Sequence, residues 1–309
     1  MKKVIVTGAN GFIGSYLVRE LVSNGIEVIA VVRNDRSNTK LLSDIGKIRI
    51  IYCELSEIST LADKITDRDI DVFYHFAWEG SAGSARVDAE LQMKNVLWTA
   101  EAVRIAKELG CHRFVGAGSI MEDETIAAVT TQENRPGLPY IYGTGKFTAH
   151  CISKSIAASI DMDHIWGVIT NAYGPGELSP RFINTTIRKI INNERLQFTA
   201  ATQNYDFVYI TDVAKAFYFM GLLGKPFSRY LIGSSHAKPL KEFIIEMQQI
   251  LAPKIDLQFG DIPFTGINLP LEVFSTENIT KDTGYRPSVP FSEGIKITMD
   301  WLKGMEGLQ

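Results

Sequence analysis

The chain has 309 residues, of which 45% are hydrophobic and 22% charged, and its formal net charge is -3. That composition suits a soluble globular protein with room for one large α/β unit and a smaller appended one. The slightly acidic balance gives no polyanion-binding surface, which excludes nucleic acid as a partner.

No apolar run approaches the roughly 18 residues of a membrane span, and a strand beginning by residue 3 or 4 leaves no room for a secretory signal. The expected location is the cytoplasm, with no membrane partner. Cys53, Cys111 and Cys151 are odd in number and widely spaced, so they form neither a metal-ligand set nor a disulfide framework. They are read as buried thiols, and no metal is expected.

Val4 to Val6 is a β-branched run of the kind a buried parallel strand uses. Gly8, Gly11 and Gly14 follow, and then Ile13, Leu17 and Leu21 recur at helical spacing up to the stop at Asn24-Gly25. In this strand, turn and helix, Gly8 permits the tight turn, Gly11 lets backbone approach a pyrophosphate, and Gly14 lets helix and strand pack closely. The spacing G-x-x-G-x-x-G is one residue longer in its first gap than the commonest dinucleotide fingerprint.

Glu27 to Val32 reads as a second strand, and the residue closing it should meet the adenosine ribose. Arg33 stands there. A guanidinium suits a 2′-phosphate and points to NADP, whereas an acidic residue would suit NAD; a solvated surface arginine is the bland alternative. Ile48 to Cys53 makes a third strand, with Glu54-Leu55 at its end near the expected adenine, and a helix is expected over 57–66. Asp71 to Ala77 is a fourth strand, in which His75 is read as a core histidine. A loop rich in glycine and serine runs from Trp78 to Ala85.

A long helix is expected over 87–109, its apolar face interrupted by Asn95. Arg113 to Ser119 forms a fifth strand and delivers Ser119 to the carboxyl edge of the sheet. A polar loop follows, and then a helix over 140–159 places Tyr142 and Lys146 four residues apart on one face. His164 to Ile169 closes a doubly wound βα pattern. Beyond Tyr173-Gly174-Pro175-Gly176 the rhythm breaks into short elements and proline-bearing loops, where the substrate-facing part is expected.

Tyrosine is a poor base near neutrality, since its ordinary pKa is about 10. A cation one helical turn away, Lys146, would favour the phenolate, and Ser119 could hold the substrate oxygen.

Together these residues resemble the extended short-chain dehydrogenase/reductase family, in its NAD(P)-dependent epimerase/dehydratase branch acting on nucleoside-diphosphate sugars. The resemblance spans nearly the whole chain: Thr7-Gly8-x-x-Gly11-x-x-Gly14, Glu54-Leu55, His75-Phe76-Ala77, Asn95, Ser119, Tyr142-x-x-x-Lys146, Asn171-Ala172-Tyr173-Gly174-Pro175, and Asp206-Phe207-Val208-Tyr209-Ile210-x-Asp212. It implies a doubly wound parallel sheet (Rossmann fold) over 1–170 and a smaller, mixed α/β C-terminal substrate-binding domain over 171–309, with 205–235 returning to the first. Ser119, Tyr142 and Lys146 become the catalytic residues. Cofactor contacts fall to Gly8, Gly11, Phe12, Ile13, Gly14, Arg33, Glu54, Leu55, Phe76, Ala77, Trp78, Asn95, Tyr142, Lys146 and Ile169. Ser119, Tyr142, Asn171, Arg181, Phe182 and Tyr205 are the expected substrate contacts. A homodimer built from the two long helices and a part in polysaccharide biosynthesis follow from the same resemblance.

Departures narrow the reading. Sugar dehydratases of this kind usually carry an acidic pair directly after the catalytic Ser or Thr, where Ile120-Met121 stand here, so no acid for a departing 6-hydroxyl is evident. The arginine that often precedes Asp-Phe-Val is Tyr205, and a second one expected near 269–272 is not apparent, so the diphosphate needs other groups; Arg181 is the candidate, with a plain surface arginine as the equal alternative. Reduction of a 4-keto sugar nucleotide with NADPH is the first expectation, and 4-epimerisation with bound NAD the second. A non-catalytic dinucleotide sensor is the rival of another class, and it has no use for Ser119, Tyr142 and Lys146 together.

Overall fold

The computed structural model of the protein describes residues 1–46 and 48–306. In chain order the strands are β1 (Lys3–Thr7), β2 (Glu27–Val32), β3 (Ile48–Tyr52), β4 (Val72–His75), β5 (Arg113–Ser119), β6 (Asp163–Ile169), β7 (Asn171–Tyr173), β8 (Asn204–Tyr205), β9 (Phe207–Tyr209), β10 (Arg229–Ile232) and β11 (Lys238–Pro239). The helices are α1 (Phe12–Ser23), α2 (Leu61–Lys64), α3 (Ala89–Glu108), α4 (Met121–Thr130), α5 (Tyr140–Ser159), α6 (Phe182–Ile191), α7 (Ile210–Leu223), α8 (Leu240–Leu251), α9 (Glu277–Thr283) and α10 (Phe291–Glu306).

Seven strands form one parallel sheet in the order β10-β6-β5-β4-β1-β2-β3. Their β-branched runs suit it, because a parallel sheet is covered on both faces and tolerates apolar side chains at every position. The period of two then divides them. Val4, Val6, Tyr74, Val115 and Ile165 meet Leu17 and Leu21 of α1 and Val213 and Phe217 of α7 on one face. Ile5, Ile29, Phe73 and Phe114 meet Ala102, Ile105 and Ala106 of α3 and Ala157 of α5 on the other. Each fully buried Leu or Phe contributes about 1.5–3 kcal/mol, so the two layers fix the sheet firmly. The strand order reverses at the β1–β4 boundary, with β2 and β3 added to one side of β1 and β4, β5 and β6 to the other, which opens a crevice at the carboxyl edge of the sheet.

The first core continues into the C-terminal part through Ile187, Phe243, Ile244, Met247, Ile295 and Leu302. Sheet and later helices are therefore joined by packing. The sheet's edge strand β10 comes from this later part of the chain, beside β6.

Three local expectations change. The helix expected over 57–66 is a 3-10 turn, Leu55–Thr60, followed by the single turn α2. The segment after Ser119, read as a polar loop, contains α4, whose Glu122, Asp123 and Glu124 lie in its first turn and complement the helix dipole. Cys53 and Cys111 are buried as expected, but Cys151 is exposed on the outer side of α5. No helix among the described residues is long and apolar enough to cross a membrane.

Candidate active site

The turn between β1 and α1 is shaped by close approach. Gly8 has φ 66°, and a Cβ there would come within 2.7 Å of the Ala77 amide nitrogen. A Cβ on Gly14 would collide with the Gly8 carbonyl. Gly11 caps α1 without a side-chain hydrogen bond, so the first amides of that helix keep their capacity for an anion. Gly8, Gly11, Phe12, Ile13 and Gly14 line a cavity of about 370 Å³. The cavity runs from Arg33, Cys53, Leu55 and Ile58 past Phe76, Ala77 and Trp78 to Ser119, Tyr142, Lys146 and Ile169. Free helix amides and a surface cleared of side chains fit the pyrophosphate of a dinucleotide.

Ser119, Tyr142 and Lys146 meet at the far end of this cavity. Ser119 ends β5, its amide donates to Glu122 Oε1 at 2.9 Å, and its Oγ accepts from the Met121 amide at 3.3 Å. Glu122 is fully buried and also receives the Trp166 indole N–H at 3.0 Å. Glycines 116 and 118 leave the room that this indole occupies. Tyr142 and Lys146 are both buried on α5. Burial raises the Tyr142 pKa, with Arg181, Arg86 and a hydrogen bond from Ser119 opposing. Burial also pushes Lys146 down to about 7, against the pull of Glu122. Its Nζ donates to the Ala117 carbonyl at 2.8 Å and lies 3.8 Å from the centre of a Trp78 ring. The cations acting most on Tyr142 are thus two arginines from other elements.

A second cavity, of about 250 Å³, shares Ser119, Thr170, Ala172, Glu177 and Arg181 with the first. Its walls add Arg86, Ile120, Met121, Glu124, Asn171, Phe182 and Tyr205. A third, of about 350 Å³, shares Glu124, Phe182 and Tyr205 with the second and adds Phe198, Gln203, Leu240, Ile244, Phe264 and Phe274. The three cavities follow one another through these shared walls. Arg181 Nε lies 3.2 Å from the Glu177 carboxylate, and the Asn171 amide donates to the Asp206 carbonyl at 3.0 Å. Burial raises Glu124 to about 7, with Arg86 opposing, so a carboxyl group absent from the expected positions does face the second cavity.

Two expected cofactor residues stand behind the cavity walls. Asn95 is buried and holds the loop after β4: its Oδ1 accepts from the Glu79 amide at 2.8 Å, and its Nδ2 donates to the Glu79 carbonyl at 2.9 Å. Gln92, one turn earlier, accepts from the Trp78 indole at 2.8 Å and donates to the Gly80 and Ala85 carbonyls at 3.1 Å. Glu54 accepts from the Asn34 amide at 3.0 Å and lines none of the three cavities. Arg33 lines the first cavity, largely exposed, with a guanidinium nitrogen 3.8 Å from the Glu79 carboxylate. His75 is a core histidine, held between Thr7 at 2.9 Å and Thr99 at 3.3 Å, and burial pushes it down to about 3.

Arg86, Glu122 and Glu124 were not singled out from the sequence. For Arg86 a signal exists: it lies two residues before Asp88, the capping residue of α3, in the connection leaving β4. Such connections sit at the carboxyl edge of a parallel sheet, where ligands bind.

Known proteins share this frame. The NAD dependent epimerase/dehydratase family matches residues 4–233. Human dTDP-D-glucose 4,6-dehydratase is 24% identical, over 98% of this chain and 90% of its own length. The dTDP-4-dehydro-6-deoxyglucose reductase of Escherichia coli is also 24% identical, over 94% of this chain and 95% of its own. Among solved structures, the Bordetella bronchiseptica enzyme WbmF in complex with NAD+ and UDP has the same fold, with a TM-score of 0.79 at 19% identity over 99% of this chain and 93% of that one. With a match over more than two thirds of its length, the chain belongs to the NAD dependent epimerase/dehydratase family.

Proposed function

We propose that the protein is an NAD(P)-dependent oxidoreductase of nucleoside-diphosphate sugars that reduces a 4-keto sugar nucleotide. The observation carrying this reading is the meeting of Ser119, Tyr142 and Lys146 on the wall of the first cavity, with Ser119 shared by the second. Residues 1–170 are read as the part holding the dinucleotide, and 171–309 as mainly the substrate part.

A bound nicotinamide supplies or accepts the hydride. Tyr142 delivers or takes the proton at the sugar oxygen, and Ser119 holds that oxygen by a hydrogen bond. Lys146 presents its ammonium to the ribose. The second cavity would take the sugar, with Asn171 and Arg181 on its wall, and the aromatic third cavity suits a nucleoside base. Arg33 at the β2 end of the first cavity supports NADP, and the E. coli reductase relative supports the direction of reaction.

A second reading, 4-epimerisation with retained NAD, is favoured by the NAD dependence in the matched family's description and by the Glu79 carboxylate beside Arg33. In both readings we place the enzyme in the cytoplasm as a homodimer, and the pairing is supported by apolar side chains exposed on the two long helices: Met93 and Leu97 on α3, Phe147 and Ile152 on α5.

The test is a panel of nucleotide sugars and their 4-keto forms, with NADPH oxidation and product stereochemistry followed separately. Reduction of a 4-keto form with NADPH is expected; conversion without net oxidation or reduction would give the epimerase. Tyr142→Phe should lower turnover by about 10²–10⁴-fold while cofactor still binds. Turnover above about a tenth of normal would remove Tyr142 from the chemistry.

A further inference from the structure

We propose that Arg86 is a positioning residue for Tyr142, the permanent cation whose contact with the ring favours the phenolate. This rests on the reading of Tyr142 as the proton-transferring residue. The two side chains converge from separate elements, Arg86 from the turn before α3 and Tyr142 from the first turn of α5. The guanidinium carbon lies 4.5 Å from the centre of the Tyr142 ring. A cation over an aromatic face is attracted by the ring's electrons, and ionisation of the phenol adds negative charge to that same ring. The contact therefore strengthens on going from phenol to phenolate.

The other groups around Tyr142 are less suited to this task. Arg181, ahead of α6, acts on the Tyr142 ionisation more than Arg86 by charge alone, but it is ion-paired to Glu177 at 3.2 Å, whereas Arg86 lies over the ring face. Lys146, one turn along α5, is engaged with the Ala117 carbonyl and the Trp78 face, and it titrates near 7. Glu122 of α4 opposes ionisation, Ser119 of β5 assists it, and Trp78 packs edge-on at 6.2 Å. A guanidinium, unlike an ammonium, is a planar cation suited to lying over a ring face. The Arg86 Nε is buried without a hydrogen-bond partner, and among the described residues no carboxylate lies within ion-pair distance of it. Glu124, on the same cavity wall, feels its charge from farther away.

The experiment compares the wild type, Arg86→Gln and Arg86→Lys by ultraviolet difference titration of tyrosinate, with Tyr142→Phe subtracted to isolate the one residue. It needs neither cofactor nor substrate. In Arg86→Gln the Tyr142 midpoint should rise by about one pH unit or more, and Arg86→Lys, which keeps the charge, should recover most of the change. The limb of the kcat profile that reports Tyr142 should move to higher pH in parallel, with KM near its normal value. An unmoved midpoint in a folded Arg86→Gln protein overturns the proposal. So does a raised KM with an unmoved kcat profile, which would make Arg86 a sugar-binding cation. Full activity in Tyr142→Phe would defeat the catalytic reading alone, because the titration reports the arginine–tyrosine contact independently of turnover.

Discussion

Replacing Lys146 by Met should make the cofactor-free protein more stable while abolishing its activity. Burial lowers the Lys146 pKa from 10.5 to about 7, which at about 1.36 kcal/mol per pH unit is an upper bound near 5 kcal/mol for holding the charge inside. Against this stand the hydrogen bond to Ala117, worth about 1.5–3 kcal/mol for a charged donor, and the contact with Trp78, worth about 0.5–2 kcal/mol. Methionine fills a similar volume, so the net gain should be up to about 3 kcal/mol at about pH 6. The direction with pH follows from the proton count. Between about 7 and 10.5 the unfolded wild type holds a proton on this lysine that the folded form has released, so wild-type stability rises with pH across that window. The advantage of Met should shrink accordingly. Urea unfolding of both proteins at about pH 6, 8 and 9.5 measures this directly. A Lys146→Met protein less stable than wild type near pH 6, or a difference constant with pH, would refute the reasoning.

Two further outcomes concern cofactor and assembly. Arg33→Ala should weaken NADPH and leave NADH nearly unchanged, since the guanidinium serves only a 2′-phosphate; calorimetric titration showing equal affinities for the two cofactors in the unmodified protein would sink the assignment. Light scattering at micromolar concentration should give a dimer, about twice the 34.4 kDa of one chain, through the apolar faces of α3 and α5. A mass near 34.4 kDa would refute it.

The parts legible in the sequence were those encoded by neighbours along the chain. The strand runs, the glycine turn and the i, i+4 pair Tyr142 and Lys146 each declare themselves within about a dozen residues, because period and spacing are local properties. The α5 helix runs over Tyr140–Ser159, as its periodicity requires. What failed was encoded by the surroundings. Met121 to Thr130 looks like a polar loop until Glu122 is seen buried beneath Ser119 and Trp166, a burial that a string of three acids does not suggest. Asn95 holds Glu79, and Glu54 accepts from Asn34, pairings between separated positions that spacing along the chain does not reveal. Arg86 reaches Tyr142 from 56 positions away along the chain, a distance no periodicity spans.

The loop that carries Trp78 and leads to Arg86 is suspended from α3, not from the sheet. Asn95 grips Glu79 by both its amide and its carbonyl, and Gln92 grips Trp78, Gly80 and Ala85. The outer side of the same helix exposes Met93 and, with two thirds of its surface free, Leu97. One rigid rod thus has solvent-facing leucine and methionine on one side and the ceiling of the reaction chamber on the other. A second subunit on its outside would lie little more than the diameter of a helix from the indole over Lys146 and the guanidinium over Tyr142. The dimer proposed above, if built on this face, would put assembly and catalysis on one beam.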